Sequence, residues 1–168
     1  MGGVESFATP RMVAARLRGS DFDDLFRLNQ DSEVAKTMGG TRGAQETREQ
    51  IERAVAHWDR YGYGLWIFRA RDGGGFIGRG GIRNVEIDGA HEIEIAYAVM
   101  PEFWRRGFAT EMARAFVDIA AQAGIDNLVA FTLPTNSGSR GVMEKVGFRY
   151  EREIVWADLP HVLYRKML

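Results

Sequence analysis

Phe103-Trp104-Arg105-Arg106-Gly107-Phe108-Ala109-Thr110-Glu111 stands where one periodicity of the chain gives way to another. Before it, Glu92-Ile93-Glu94-Ile95-Ala96-Tyr97-Ala98-Val99 alternates in steps of two, as a strand does. After it, Ala109, Met112, Ala113, Phe116, Val117 and Ala120 recur at steps of three and four, giving a helix one apolar face. Met100-Pro101-Glu102 and two arginines before a glycine fill the junction. A helix that starts here aims its unpaired N–H groups and its positive end at one spot. That spot suits a phosphate or pyrophosphate.

Working outward, residues 1–8 are expected to form a flexible lead and residues 9–168 a single domain. Met12 to Leu17 reads as a first strand. Ser20 is a fitting N-cap for a helix carrying Phe22, Leu25, Phe26 and Leu28. Gly39-Gly40 and Gly43 mark a loop, and a second helix runs from about Ala44 through Ile51, Val55 and Trp58 to Gly62. Leu65 to Ala70 and Phe76 to Val85 form a hairpin around Asp72-Gly73-Gly74-Gly75. The helix from Gly107 stops at Gly124. A buried strand (Leu128 to Leu133), a short helix (Ser137 to Val146) and a strand (Phe148 to Trp156) follow. Asp158-Leu159-Pro160 then turns into a last strand, Val162 to Met167. A strand–helix–strand unit implies a parallel pair. The fold class is therefore mixed α/β, one sheet with helices on both faces.

Composition narrows the function. The chain has 168 residues, 45% hydrophobic and 27% charged, with a formal charge of −1. That balance lacks the basic excess of a dedicated nucleic-acid binder. There is no cysteine, which removes disulfides, thiolate metal sites and a cysteine nucleophile. His57, His91 and His161 have no metal-ligand spacing, so no metal is expected. No apolar run approaches the roughly 20 residues of a membrane span. Met1-Gly2 with Ser6 formally matches a myristoylation signal, but no basic cluster or cysteine supplies a second anchor. Cytoplasm, with no membrane partner, is the expected setting. The skew of arginine over lysine points to a GC-rich, bacterial genome.

Gly73-Gly74-Gly75-Phe76-Ile77-Gly78 satisfies G-x-G-x-x-G. A dinucleotide fingerprint must open a helix, whereas Ile82, Val85 and Ile87 continue a strand. The glycines are read as a hairpin turn.

Three motifs carry a resemblance to a known family. Pro101-Glu102-Phe103-Trp104 before Arg105-Arg106-Gly107-Phe108-Ala109-Thr110-Glu111 resembles the acyl-CoA-binding segment of GCN5-related N-acetyltransferases. Asn136-Ser137-Gly138-Ser139 followed by Glu144-Lys145-Val146-Gly147-Phe148 resembles a second signature. His57-Trp58, Tyr61-Gly62-Tyr63-Gly64-Leu65-Trp66 and Ile77-Gly78-Arg79-Gly80-Gly81 fit upstream. The likeness runs from about Thr9 to the C-terminus and is greatest to the branch of ribosomal-protein N-terminal acetyltransferases. It implies a mostly antiparallel sheet with one parallel pair around the CoA-binding helix, and acetyl-CoA as cosubstrate. It also implies that the N–H groups of Arg105, Arg106, Gly107, Phe108, Ala109 and Thr110 cradle the CoA pyrophosphate, with the two arginines adding charge. Backbone at Val99 and Met100 would border the thioester, and a nearby N–H would polarise its carbonyl. Asn136 would lie near the pantetheine arm and Ser139 near the sulfur. Trp104 departs from the glutamine or arginine usual in the superfamily. Many members also carry a tyrosine as general acid later in the second-signature helix. Here that region reads Val142-Met143-Glu144, leaving Ser139 as the available hydroxyl.

Glu92 and Glu94, two apart on a strand, share a face. A protonated amine cannot attack a thioester, so a base must free its lone pair, a service typically contributing about 10² to 10⁴ in rate. Glu94 is the preferred base, with Glu92 as its companion. His91 beside Glu92 is a candidate for the proton path. A solvated or partly buried carboxylate pair is the plain alternative, as helix capping is for Asn136. Trp58, Tyr61, Tyr63 and Trp66 are expected to be core, with some walling an acceptor pocket.

The expected activity is direct transfer of acetyl to a primary amine of a protein N-terminus or a small molecule. No acyl-enzyme is expected, since neither cysteine nor an activated serine is evident. A non-catalytic acyl-CoA-binding or regulatory module is the alternative. A homodimer is also considered, paired through Val162, Leu163 and Tyr164 at an open edge.

Overall fold

Residues 3–168 are described in the computed structural model of this protein. Among them eight strands form one sheet: β1 (Ser6–Ala8), β2 (Met12–Arg16), β3 (Leu65–Ala70), β4 (Phe76–Ile87), β5 (Ala90–Val99), β6 (Asn127–Thr132), β7 (Arg149–Trp156) and β8 (Leu159–Met167). Their order is β1-β2-β3-β4-β5-β6-β8-β7. Every neighbouring pair is antiparallel except β5 and β6. The helices are α1 (Phe22–Gln30), α2 (Ser32–Met38), α3 (Ala44–Tyr61), α4 (Phe108–Gln122) and α5 (Ser137–Lys145).

Strand alternation sorts the side chains onto two faces. Trp66 and Phe68 on β3 lie opposite Gly80 and Gly78, which in turn face Tyr97 and Val99. This face packs on Phe108, Met112, Phe116 and Ala120 of α4 and Met143 of α5. Gly80 makes room for the packing: a Cβ there would meet the Phe116 ring at 2.9 Å. Phe116 uses that space to stack on Trp66, with centroids 5.8 Å apart. The opposite face carries Leu65, Ile67 and Ala98 under Leu25, Leu28, Val34, Ile51 and Ala54 of α1, α2 and α3. By register, Arg79, Arg83 and Glu94 belong to this second face.

Several expectations are corrected. Ser6–Ala8 is no free lead but an edge strand paired with Val13–Ala15; three residues are too few to show a period. Met1 and Gly2, where the myristoylation match begins, lie outside the described residues. Helix α2 has no counterpart in the periodicity reading. It is one short run, capped by the Asp31 carboxylate on the N–H groups of Glu33 and Val34 and closed by Gly39 in the left-handed conformation. Leu159 and Pro160 already belong to β8, and the turn is Ala157-Asp158 with positive φ at both. Strand β8 is flanked by β6 and β7. Val162, Leu163 and Tyr164 are therefore buried and offer no open edge to a second copy. The glycine-rich stretch ends in a strand, as expected of a hairpin turn.

Candidate active site

The loop that the sequence marks as a phosphate site lies at the start of α4. Arg105 and Gly107 both take positive φ, and Gly107 is the N-cap with no side chain bonded to the helix end. Glu111 N–H is bonded to the Gly107 carbonyl. The N–H groups of Phe108, Ala109 and Thr110 precede that first intrahelical bond and lack helical acceptors. Arg105 and Arg106 are exposed on the same loop. A groove of ≈ 590 Å³ opens beside it, lined among others by Gly107, Thr110, Arg11, Arg114 and Lys145. Arg11, Arg114 and Lys145 were missed by sequence reasoning. They come from β2's approach, the exposed face of α4 and the end of α5, and only folding gathers them. Five cations around free helical donors, two on the loop and three in the groove, suit a polyanion such as the diphosphate and phosphate groups of CoA.

A carboxylate fastens this loop. Glu111 accepts from Thr9 Oγ1 at 2.5 Å, Arg11 N at 2.8 Å and Arg11 Nε at 2.8 Å. Arg11 Nη1 reaches the Arg106 carbonyl at 2.8 Å, and its guanidinium lies 3.9 Å from the Phe108 ring centroid. Burial alone would raise the Glu111 value. The hydrogen bonds from Thr9 and Arg11 outweigh it and hold the carboxyl below its ordinary range.

Next to this loop β5 and β6 part. Their parallel pairing is recorded at Glu94 and Val129 alone, although β5 runs on to Val99 and β6 to Thr132. Met100 N–H donates to the Ile77 carbonyl, so Gly78 and Val99 form a non-hydrogen-bonded pair. The N–H and C=O of Val99 then point away from β4, into the opening. Trp104 Nε1 donates to that Val99 carbonyl at 2.7 Å. The departure at Trp104 thus orders the strand end.

The two glutamates differ. Glu94 is 2% exposed, and its Oε1 accepts from Arg83 through Nε at 2.6 Å and through Nη2. Its Oε2 accepts no hydrogen bond among the described residues. Glu92 is held by both Arg165 Nη atoms, at 2.9 and 2.8 Å. Arg165 also binds Glu151 and Asn127. Those bonds keep the Glu92 carboxyl below its usual range. Glu92 is therefore a strut between β5 and β8, and of the two carboxylates expected to share a face only Glu94 keeps an oxygen without a hydrogen bond among the described residues. His91 is exposed and outside any such path.

On the α4 side, Tyr97 OH lies 3.1 Å from Ser139 Oγ and 3.2 Å from the Ser139 carbonyl. Burial pushes the phenol up to about 12, so it remains a donor. Along the chain Tyr97 is marked only as part of the alternating strand Glu92 to Val99. Its hydroxyl now stands beside Ser139, in the region that lacks a helix tyrosine. Asn136 caps α5 through Ser139 N–H at 3.2 Å and donates to Thr132 Oγ1 at 3.0 Å, so its side chain is occupied structurally.

Trp58 and Trp66 are core, as expected, whereas Tyr61 and Tyr63 stack with centroids 6.1 Å apart at the sheet margin. His57 accepts the Asn84 N–H at Nε2 (2.9 Å) and bonds the Tyr63 carbonyl through Nδ1 (2.9 Å). Burial lowers its value, and the neutral ring with hydrogen on Nδ1 satisfies both contacts.

A helix N-terminus rich in free donors faces a parallel pair that opens like a wedge, an arrangement suited to an acylated, phosphate-bearing carrier. The family model described as the acetyltransferase (GNAT) domain matches residues 11–149. The chain belongs to the GNAT acetyltransferase family and is an N-acetyltransferase. It is 29% identical to the uncharacterized protein YkkB of Bacillus subtilis (strain 168), over 99% of this chain and 98% of that protein. An acetyltransferase from Agrobacterium tumefaciens shares the fold with a TM-score of 0.85 and 22% identity, covering 99% of this chain and 96% of that one. The ribosomal alpha-N-protein acetyltransferase RimL, solved in complex with coenzyme A, does so with a TM-score of 0.80 at 16% identity, over 98% of each chain. Among the described residues no helix is long and apolar enough to cross a membrane, and no cluster of three or more His, Asp or Glu side chains could hold a metal.

Proposed function

We propose that this chain moves acetyl from acetyl-CoA to a primary amine by direct attack within a ternary complex. The observation that carries the reading is the Val99 N–H facing the β5–β6 opening, next to the free N–H groups that start α4. The α4 donors, Arg105, Arg106 and the groove cations hold the phosphates of the donor. The CoA-bound RimL neighbour supports that use of the site. Val99 N–H takes up charge developing on the acetyl oxygen. Arg83 fixes one oxygen of Glu94 and leaves Oε2 to accept, through intervening water, a proton from the incoming ammonium, since Glu94 and Val99 lie about 16 Å apart along β5. The freed nitrogen attacks the thioester carbon, the C–N bond forms and the C–S bond breaks. Of the two protons leaving nitrogen, one passes through Glu94 to solvent and the other ends on the CoA sulfur. Ser139, backed by Tyr97, hydrogen-bonds that departing sulfur. Most of the rate comes from holding amine and thioester together.

The first test is thermal unfolding with acetyl-CoA, using NADH and ATP as controls. A ligand at about 100 times its Kd stabilises the fold by roughly 2.7 kcal/mol. A shift with acetyl-CoA alone is expected, and no shift at millimolar donor refutes the donor site. Glu94→Gln should then lower kcat by about 10² with donor affinity retained, and Ser139→Ala should lower it less. Full turnover by both variants refutes these roles. Donor binding without turnover on a broad amine panel favours the non-catalytic acyl-CoA module instead.

A further inference from the structure

Arg79 is a buried cation without an anion. It sits on central strand β4 between Ile67 and Ala98, 5% exposed, among aliphatic side chains of β3 and the α1–α3 layer. Among the described residues, its Nε is a buried side-chain nitrogen with no hydrogen-bond partner. Its Nη2 touches only the Met38 sulfur, at 3.8 Å. The nearest carboxylate by register, Glu94, is already bound by Arg83. Leaving an ion buried and unpaired costs several kcal/mol, so a sequence free to place methionine or leucine here would gain stability by doing so.

Two further arginines converge on the same place. Arg83 lies four residues along the same face, about 13 Å at the backbone, within the joint reach of two guanidinium stems. Arg42 follows the α2 turn; with Met38 and Gly40 it lines a small cleft above the sheet. Arg42 is held there by its carbonyl, which accepts from Gln30 Nε2 at 2.7 Å. Burial first, and then the charges of Arg83 and Arg42, bring the Arg79 value down to about 9, which still leaves it charged at neutral pH. Burial and then Arg83 lower Arg42 as well. Arg83 is thus answered by Glu94 and Arg42 in part by Glu46, while Arg79, in the row next to Val99, has no carboxylate of its own.

We infer that the acceptor amine carries an anionic group, a carboxylate in the first instance, which Arg79 and Arg42 bind while its amine lies between Glu94 and Val99. This rests on the acetyl-transfer reading above and narrows its substrate class. The Arg79 and Ala98 row is one residue from Val99, so only a few bonds separate the anion from the reacting nitrogen. A free amino acid and a peptide N-terminus with an acidic second residue share that chemistry.

The test uses the full chain with pairs of amines that differ only in carboxylate against carboxamide. The series runs from glycine to 6-aminohexanoate with their amides, plus peptides bearing Asp or Asn at position 2. The acid of at least one pair should be favoured at least tenfold in kcat/KM, and which series shows it separates the two sources. Calorimetry on the CoA complex reads binding of the same acids without turnover. Arg42→Ala and Arg79→Met should each reduce the acid preference, or the acid affinity, at least tenfold with CoA affinity retained. Arg79→Met should melt no lower than the parent, which a structural role for Arg79 would not allow. Equal use of acids and amides with no saturable acid binding overturns the inference while leaving acetyl transfer standing. A several-degree loss of Tm in Arg79→Met with unchanged discrimination also overturns it. Failure to bind acetyl-CoA bears instead on the donor site.

Discussion

Replacing Glu111 by alanine should cost this protein both stability and donor affinity. The carboxylate is 13% exposed at its side chain and accepts three hydrogen bonds from the β1–β2 turn. The Thr9 bond is charge-assisted and part-buried, worth about 1.5–3 kcal/mol. Some of that returns, because the Thr9 hydroxyl already lies 3.5 Å from the Met12 carbonyl and can turn to it. The Arg11 N–H is exposed and regains water, a loss of about 0.5–1 kcal/mol. The ion pair with the 43%-exposed Arg11 side chain adds at most about 1 kcal/mol. The sum is about 2–3 kcal/mol, or roughly 4–12 °C in Tm for a domain of this size. Arg11 also braces the Arg106 carbonyl and the Phe108 ring, so the Kd for acetyl-CoA should rise several-fold. The contribution depends on pH with a fixed sign. The folded carboxyl lies below its ordinary value, so its stabilisation is present above about 4.3 and disappears as pH falls through the folded value. The gap in Tm between parent and Glu111→Ala, measured by calorimetry, should therefore be full at pH 7 and shrink towards pH 3. A gap under 1 °C at pH 7, or one that widens on acidification, refutes the clamp.

Other outcomes follow from the same geometry. His57 is held neutral, with its value depressed; its contribution is full above about 6.5 and declines as pH falls towards the folded value. Denaturant melts between pH 7.5 and 5 should show this slope in the parent and not in His57→Phe, which loses about 1–2 kcal/mol at pH 7.5 for two hydrogen bonds. Tyr97→Phe should reduce kcat by about tenfold or more and leave the pH profile below pH 10 unchanged, because a phenol pushed up to about 12 does not titrate there. A new or vanished limb in that range would rule out the buried donor. Gly107→Ala puts a Cβ at φ 80°, 3.4 Å from Arg11 Nη2, with about 1–2 kcal/mol of strain. Titration should show weaker acetyl-CoA binding, and unchanged affinity would mean the loop conformation is unimportant.

Local chemistry made much of this protein legible in its residue order. Ile51, Val55 and Trp58 mark α3, and Met112, Phe116 and Ala120 mark α4, because a 3.6-residue period shows wherever one helix face is buried. Glycines at positions 62, 107 and 124 punctuate those helices because each takes positive φ. The donor loop could be named for the same reason: unpaired helical N–H groups are a property of any helix start. What the residue order could not settle is which side chains meet across the sheet. Glu92 and Glu94 look alike along the chain, yet Arg165, 73 residues away, takes one, and Arg83, on the neighbouring strand, takes half of the other. Tyr97 reads as one more apolar strand residue until α5 brings Ser139 to its hydroxyl. Arg79 is one arginine among glycines along the chain until α1–α3 bury it without a partner. Periods and caps are set by neighbours within a few residues, so the sequence alone determined the longer helices and strands and the helix start at Gly107, but not the three-residue β1 or the short α2. Charge pairing and burial are set by strand register and layer packing, which join distant segments, so only the tertiary structure decided which acid is free and which cation is alone.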